Sequence, residues 1–154
     1  MNITELKNGD TLNNNDKQNE TFAQLKTFLN LIKRKDLSDK VILGINKNIE
    51  EINNSLLTGT GLQKLIKRQQ NDIAKLLEKE LKIVPKNYYR NFWLIIGMSA
   101  FGVPIGVALG ISTGNMALLA VGLPIGMAIG LTVGSAMDKK ANEEGRQLDI
   151  ELKY

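Results

Sequence analysis

Hydrophobic residues follow four regimes along the chain. Residues 1–20 are polar and asparagine-rich, with Asn13-Asn14-Asn15 at their centre and no apolar run. That composition predicts a disordered tail and lacks the apolar segment of a signal peptide. From Thr21 the spacing becomes helical. Phe22, Leu25, Leu29 and Ile32, with Phe28 beside them, define one apolar stripe, and Lys33-Arg34-Lys35 closes that helix with positive charge at its negative end. Ser38 is placed to cap a second helix, and Leu37 to staple against Ile42. Its stripe is Val41 or Ile42, Ile45, Ile49, Ile52 and Leu56. Leu57-Thr58-Gly59 ends it, and Thr60 with Gln63 has the form of a capping box for a third helix. That helix carries Leu62, Leu65, Ile66, Ile73, Leu76, Leu77, Leu81, Ile83 and Val84 opposite a lysine-rich face, and Pro85 ends or bends it. The region 21–90 is thus expected to hold about three amphipathic helices. Their stripes can bury against one another, or against other copies as a coiled coil.

The third regime, Phe92 to Met137, contains no charged residue. A hydrocarbon core about 30 Å thick takes roughly 20 helical residues at about 1.5 Å each, so this run can cross twice. A transmembrane helical hairpin over 91–138 is the expectation. It holds an internal repeat: Gly102-Val103-Pro104-Ile105-Gly106-Val107-Ala108-Leu109-Gly110 recurs as Gly122-Leu123-Pro124-Ile125-Gly126-Met127-Ala128-Ile129-Gly130. Gly102, Gly106, Gly110 and Gly114 follow every fourth position, as do Gly122, Gly126, Gly130 and Gly134. Glycine at this spacing lets helix backbones touch in lipid. The positions midway between are also small, Ala108 and Ala128 among them, while the odd positions carry the bulk. A two-residue step turns about 200° on a helix, so each helix has two nearly opposite close-contact faces. The hairpin partner fills one. The other awaits a neighbouring copy or another protein, or else meets lipid. Strict alternation also suits a strand, but glycine and proline are poor in strand interiors and no polar lumen face is present. Pro104 and Pro124 are candidate hinges, although membrane helices accommodate proline without any such role.

From about Gly97 to Leu148, the two GxPIGxxxG phrases, Gly114-Asn115-Met116-Ala117, Met137-Asp138-Lys139-Lys140-Ala141 and Gly145-Arg146-Gln147 resemble the glycine-zipper membrane segments of largely uncharacterised small bacterial proteins. The resemblance covers about a third of the chain. It implies tight helix packing, homo-oligomers and, in some cases, a pore. Some such proteins are outer-membrane lipoproteins; this chain departs from them in lacking a signal peptide and a lipid-accepting cysteine.

Composition narrows the chemistry. With no cysteine and no histidine among 154 residues, disulfides, thiol nucleophiles, imidazole acid-base catalysis and most zinc sites are excluded. Glu50, Glu51, Asp72, Glu78 and Glu80 lie on helix faces without converging, so no enzyme and no cofactor are expected. The formal charge of +4 resides mainly before Asn91. Lys64, Lys67, Arg68, Lys75, Lys79 and Lys82 are interrupted by acidic residues and carry no interleaved aromatics, so nucleic acid is not an expected partner. Lys86, Tyr88, Tyr89, Arg90 and Trp93 suit the headgroup zone on one side of the hairpin, and Lys139 and Lys140 on the other. Basic residues at both ends and none in the turn place both termini in the cytoplasm, at a bacterial inner membrane. The fourth regime is the tail 139–154. After Gly145, Leu148, Ile150, Leu152 and Tyr154 alternate with charged residues, which suits a frayed end or a strand added to another chain's sheet.

The expected fold is therefore all-α, with cytoplasmic amphipathic helices followed by a two-helix transmembrane glycine-zipper hairpin. Its partners would be membrane lipid, further copies of itself and a cytoplasmic protein. Two roles compete: a self-associating membrane protein whose sharp form is a pore or membrane-perturbing effector, and an anchored adaptor that recruits a partner without conductance. A pore would be lined by Ser99, Ser112, Thr113, Thr132 and Ser135 and gated by dewetting.

Overall fold

A computed structural model describes residues 2–7 and 16–152 of the chain. These are mostly helical, with one small sheet. The chain divides into two compact units, 1–85 with 148–154, and 86–147.

The first unit holds α1 (Asp16–Ile32), α2 (Asp39–Asn53) and α3 (Gly59–Leu81). α3 packs against both α1 and α2. The stripes read from the sequence meet here: Leu25, Phe28, Leu29 and Ile32 of α1, Val41, Ile42, Ile45, Ile49 and Ile52 of α2, and Ile66, Ile73 and Leu77 of α3 are all buried, joined by Ala74, which the stripe had not included. Within this chain, therefore, the three helices bury their apolar faces against one another.

Several local expectations need correction. Leu56 is 98% exposed, because α2 ends at Asn53 and the stripe ends with it. Ser38 occupies the N-cap position of α2, yet its side chain makes no capping bond. α3 begins at Gly59 with Thr58 as its cap residue, so Thr60 and Gln63 lie inside the helix and form no capping box. Nor does Pro85 end α3. Lys82 turns into the left-handed region at φ 57, and its N–H donates to the Glu78 carbonyl at 3.0 Å while the Ile83 N–H donates to that of Leu77 at 3.3 Å. These bonds satisfy the last carbonyls before the proline is reached.

Near both ends, the described residues take on more structure than their composition suggests. Residues 2–7 run along α2, tied to Asn46 and Asn53, and Asp16 to Glu20 form the first turns of α1. The expected 1–20 tail is thus replaced at both edges, while Asn13-Asn14-Asn15 lies outside the described residues. β2 (Gln147–Glu151) pairs with β1 (Val84–Lys86) in a two-stranded sheet, burying Val84, Leu148 and Leu152. Gly145 turns the chain toward β2 at φ 69. The alternating tail therefore pairs within its own chain, and the fold is not purely α.

The second unit is the hairpin, longer than 91–138 at both ends. Its first arm consists of α4 (Tyr88–Ile96), a π-helix (Gly97–Gly102) and α5 (Val103–Thr113). The second is a short 3-10 turn (Met116–Leu118) leading into α6 (Leu119–Glu143). The two arms, 26 and 28 residues, are long and apolar enough to cross a membrane. Gly114 ends α5 in the left-handed region at φ 68. Asn115 then accepts a hydrogen bond from the Ala117 N–H at 3.0 Å, so it caps the following turn.

Candidate membrane hairpin and its two packing faces

The two arms touch backbone to backbone along one seam. Gly97, Gly102, Gly106 and Gly110 of the first arm, and Gly122, Gly126, Gly130 and Gly134 of the second, are all buried. A methyl added at Gly102 would come 3.1 Å from the Gly122 carbonyl oxygen, and one at Gly106 2.5 Å from that of Leu119. At Gly134 it would sit 2.5 Å from the Arg90 Cα, and at Gly130 it would collide with the Trp93 carbonyl. These distances lie inside van der Waals contact with atoms that cannot rotate away, so the glycines are required by the approach of the arms rather than by any turn.

Gly97 has a role that the four-residue spacing hides. Counting back from Gly102 by fours lands on Met98, a bulky residue. The π-helix inserts one extra residue before Gly102, so Gly97, five positions back, takes its place in the seam against Gly126 and Gly130. This π-helix ends two residues before Pro104, whose missing N–H and ring disturb the preceding turn. α6 instead runs through Pro124 as a regular helix. The two copies of one phrase thus adopt different local structures, and both prolines stand on the exposed side.

The residues singled out for helix packing separate into three groups. Gly102, Gly106, Gly110, Gly122, Gly126, Gly130 and Gly134 lie in the seam. Gly114 does not; it is exposed, with nothing near its α-carbon for a methyl to meet, and serves the turn. Ala108 and Ala128 face outward. With them Ala100, Pro104 and Ser112 line one exposed stripe, and Ala120, Pro124, Thr132 and Ala136 another. A shallow groove lined by Ala128, Ile129, Thr132 and Val133 runs along the second. Around these stripes large apolar side chains point away from the hairpin, from Ile95 and Phe101 to Ile111, which is 71% exposed, and from Val121 to Val133.

Hydroxyls on this outer surface turn back to their own helices. Ser99 donates to the Ile95 carbonyl at 2.9 Å, Ser112 and Thr113 to that of Leu109 at 3.2 and 2.7 Å, and Thr132 to that of Ala128 at 2.8 Å. Such back-bonding satisfies a donor without water.

The open end of the hairpin is closed by a residue that entered the sequence reading only within the phrase Met137-Asp138-Lys139-Lys140-Ala141. Asp138 on α6 is 8% exposed. It accepts the Tyr89 N–H at 3.1 Å through Oδ1 and the Arg90 N–H at 2.9 Å through Oδ2. These are among the first N–H groups of α4, which have no partner within their own helix. Asn87, at φ 58, makes no side-chain cap. The carboxylate of the second arm therefore caps the first, placing negative charge at the positive end of its dipole.

Around it lie the expected interface residues. Tyr89 is buried and packs edge-on to Tyr88 at 5.4 Å, while Phe92 and Trp93 make a second edge contact at 6.4 Å. Lys86 and Arg90 are exposed, as are Lys139 and Lys140, which approach Glu143 and Glu144 at 3.9 and 4.0 Å. Arg146 bonds Glu144 through Nε at 2.6 Å and again through its terminal amine, and this carboxylate raises the guanidinium pKa above its ordinary value. Compared with protein-family models, curated proteins and solved structures, the chain matches none.

Proposed function

We propose that the protein is an integral membrane protein whose hairpin crosses the bilayer and associates with further copies through its outer small-residue stripes. The carrying observation is that the glycine seam is already filled by the chain's own second arm, while Ala100, Pro104, Ala108 and Ser112, and Ala120, Pro124, Ala128 and Thr132, stay exposed between apolar ridges. In water each such large apolar side chain left uncovered forgoes about 1.5–3 kcal/mol of burial; in hydrocarbon that penalty vanishes. The first arm's 26 residues span roughly 39 Å at about 1.5 Å each, more than an apolar core of about 30 Å, which leaves Lys86, Arg90 and Asp138 level with the headgroups. Within lipid, small residues on a free flank favour a second backbone, because dispersion and weak Cα–H···O contacts strengthen at close approach.

This reading supplies a glycine-zipper hairpin anchored in the cytoplasmic membrane of a bacterium, with both termini in the cytoplasm. It favours close packing over a water-filled pore, since Ser99, Ser112, Thr113 and Thr132, four of the five residues expected to line one, are bonded to their own helix carbonyls. Native cysteines are absent, so single-cysteine crosslinking is clean. In bilayers, Ala128→Cys copies are expected to crosslink to one another efficiently and Ile111→Cys copies poorly. Equal yields at both positions would remove the outer stripe as the contact.

A further inference from the structure

Segment 2–7 is held to α2 by one contact used twice. The Asn46 side chain accepts the Thr4 N–H at 2.8 Å through Oδ1 and donates through Nδ2 to the Asn2 carbonyl at 3.1 Å. Asn53 repeats this one step along: it accepts the Lys7 N–H at 2.9 Å and donates to the Glu5 carbonyl at 3.0 Å. Each carboxamide brackets a single residue, Ile3 and then Leu6, and touches only main chain. The pitch explains why both clamps close together. Seven residues of helix rise about 10.5 Å, and three residues of extended chain about 10 Å, whereas three helical residues would advance only about 4.5 Å.

The bracketed side chains add a second layer of selection. Ile3 lines a cleft with Leu37 and Ile42, and Leu6 lines another with Leu29; Glu5 borders both clefts beside Lys33, with Lys35 in the first and Lys26 in the second. Ile3 and Leu6 are only half-buried, and three of the four main-chain bonds lie on exposed ground. A segment held this way exchanges with water at small cost, unlike one whose side chains are locked in a core.

We propose that this face of α1 and α2 is a binding site for an extended peptide of a partner protein, carrying two aliphatic residues three apart and a carboxylate between them. Segment 2–7 is its resident competitor. Main-chain bonds supply affinity, the apolar contacts offered by Leu37 and Ile42 at one clamp and Leu29 at the other, with the surrounding lysines, supply selectivity, and the partner gains access by displacing the segment. The site belongs to the first unit and stands whether or not the hairpins self-associate.

The probe is a fluorescent capped peptide of sequence Asn-Ile-Thr-Glu-Leu-Lys, titrated in detergent against the full chain and against the chain lacking residues 2–7. Saturable binding to the shortened chain, at least about tenfold tighter than to the intact one, is expected. Asn46→Ala with Asn53→Ala should weaken it by at least about tenfold with unchanged helical circular dichroism. Serine at the peptide positions of Asn2, Thr4 and Lys7 should matter little, and aspartate at those of Ile3 and Leu6 should abolish binding. Should the shortened chain lose its helical signal, the intact chain carrying Ile3→Asp and Leu6→Asp opens the same site and is expected to bind the peptide. No saturation to either opened chain, binding indifferent to both asparagines, or equal binding to the intact parent would each overturn the proposal.

Discussion

Replacing Asp138 with alanine removes the acceptor for two N–H groups at the start of α4, the Tyr89 N–H at 3.1 Å and the Arg90 N–H at 2.9 Å. A helix cap is worth about 1 kcal/mol, and a hydrogen bond to a charged group about 1.5–3 kcal/mol net. The Arg90 amide borders solvent and can recruit water, so the two bonds together should contribute about 2–3 kcal/mol to keeping this turn closed. At 1.36 kcal/mol per decade, that corresponds to about 30- to 150-fold faster amide exchange. Hydrogen exchange of the Tyr89 and Arg90 amides in nanodiscs reads this directly. Asp138→Asn keeps one acceptor but loses the charge, so a rise of about tenfold is expected. Exposed Asn142, one turn along the same helix, is the control, and Asn142→Ala should leave both rates alone. If Asp138→Ala changed neither amide by more than about threefold, the carboxylate would not be capping the arm.

Three further outcomes follow from the geometry. Gly130→Ala, which drives a methyl into the Trp93 carbonyl, should cost roughly 2–3 kcal/mol of hairpin stability, whereas Gly110→Ala meets chiefly the flexible Met116 sulfur at 3.1 Å and should cost less than about 1 kcal/mol, as read by thermal melting in nanodiscs. Lys82→Gly removes a side chain from the left-handed region at φ 57 and should stabilise the first unit by about 1 kcal/mol in urea titration; a loss of stability would show that the lysine's own contacts outweigh the backbone strain. The hydrogen bond from Lys40 at 2.8 Å, opposed by some desolvation and aided by the charges of Lys40 and Lys79, holds the Glu80 carboxyl below its usual value. Stability from this pair is therefore present above the unfolded carboxylate pKa and is lost as pH falls through the depressed folded value; carboxyl NMR titration should show Lys40→Met returning Glu80 to the ordinary range.

Much of this was legible because helical periodicity depends only on which side chains are apolar. The stripes of α1, α2 and α3 and the glycine repeat of the hairpin are of that kind, and apart from Leu56 and Gly114, which lie beyond the ends of their helices, the buried members sit on the faces their spacing implies. Other features depend on partners far along the chain. Asp138 looks like any solvated acid until α4 is placed beside it, and Asn46 and Asn53 look like ordinary helix-surface polar residues until segment 2–7 is laid across them. Leu148 and Leu152 alternate clearly enough, but only the position of β1 says which edge they join. Gly97 is an intermediate case. Its misfit with the four-residue series was visible, and a π-helix is the way a helix absorbs one surplus residue. The glycines and the small residues midway between them, all at even positions, formed two equivalent faces in sequence; the fold distinguishes them by giving the glycines to the chain's own hairpin and leaving Ala108 and Ala128 outside.

That division between a filled seam and an open flank carries the proposed self-association. Its most direct test is the mass of the full chain in lipid nanodiscs, measured by native mass spectrometry for the parent and for Ala108→Leu with Ala128→Leu. A discrete oligomer that becomes a folded monomer when the outer stripes are filled is the predicted result. A parent that is monomeric in the bilayer, or an oligomer untouched by those two leucines, would contradict it.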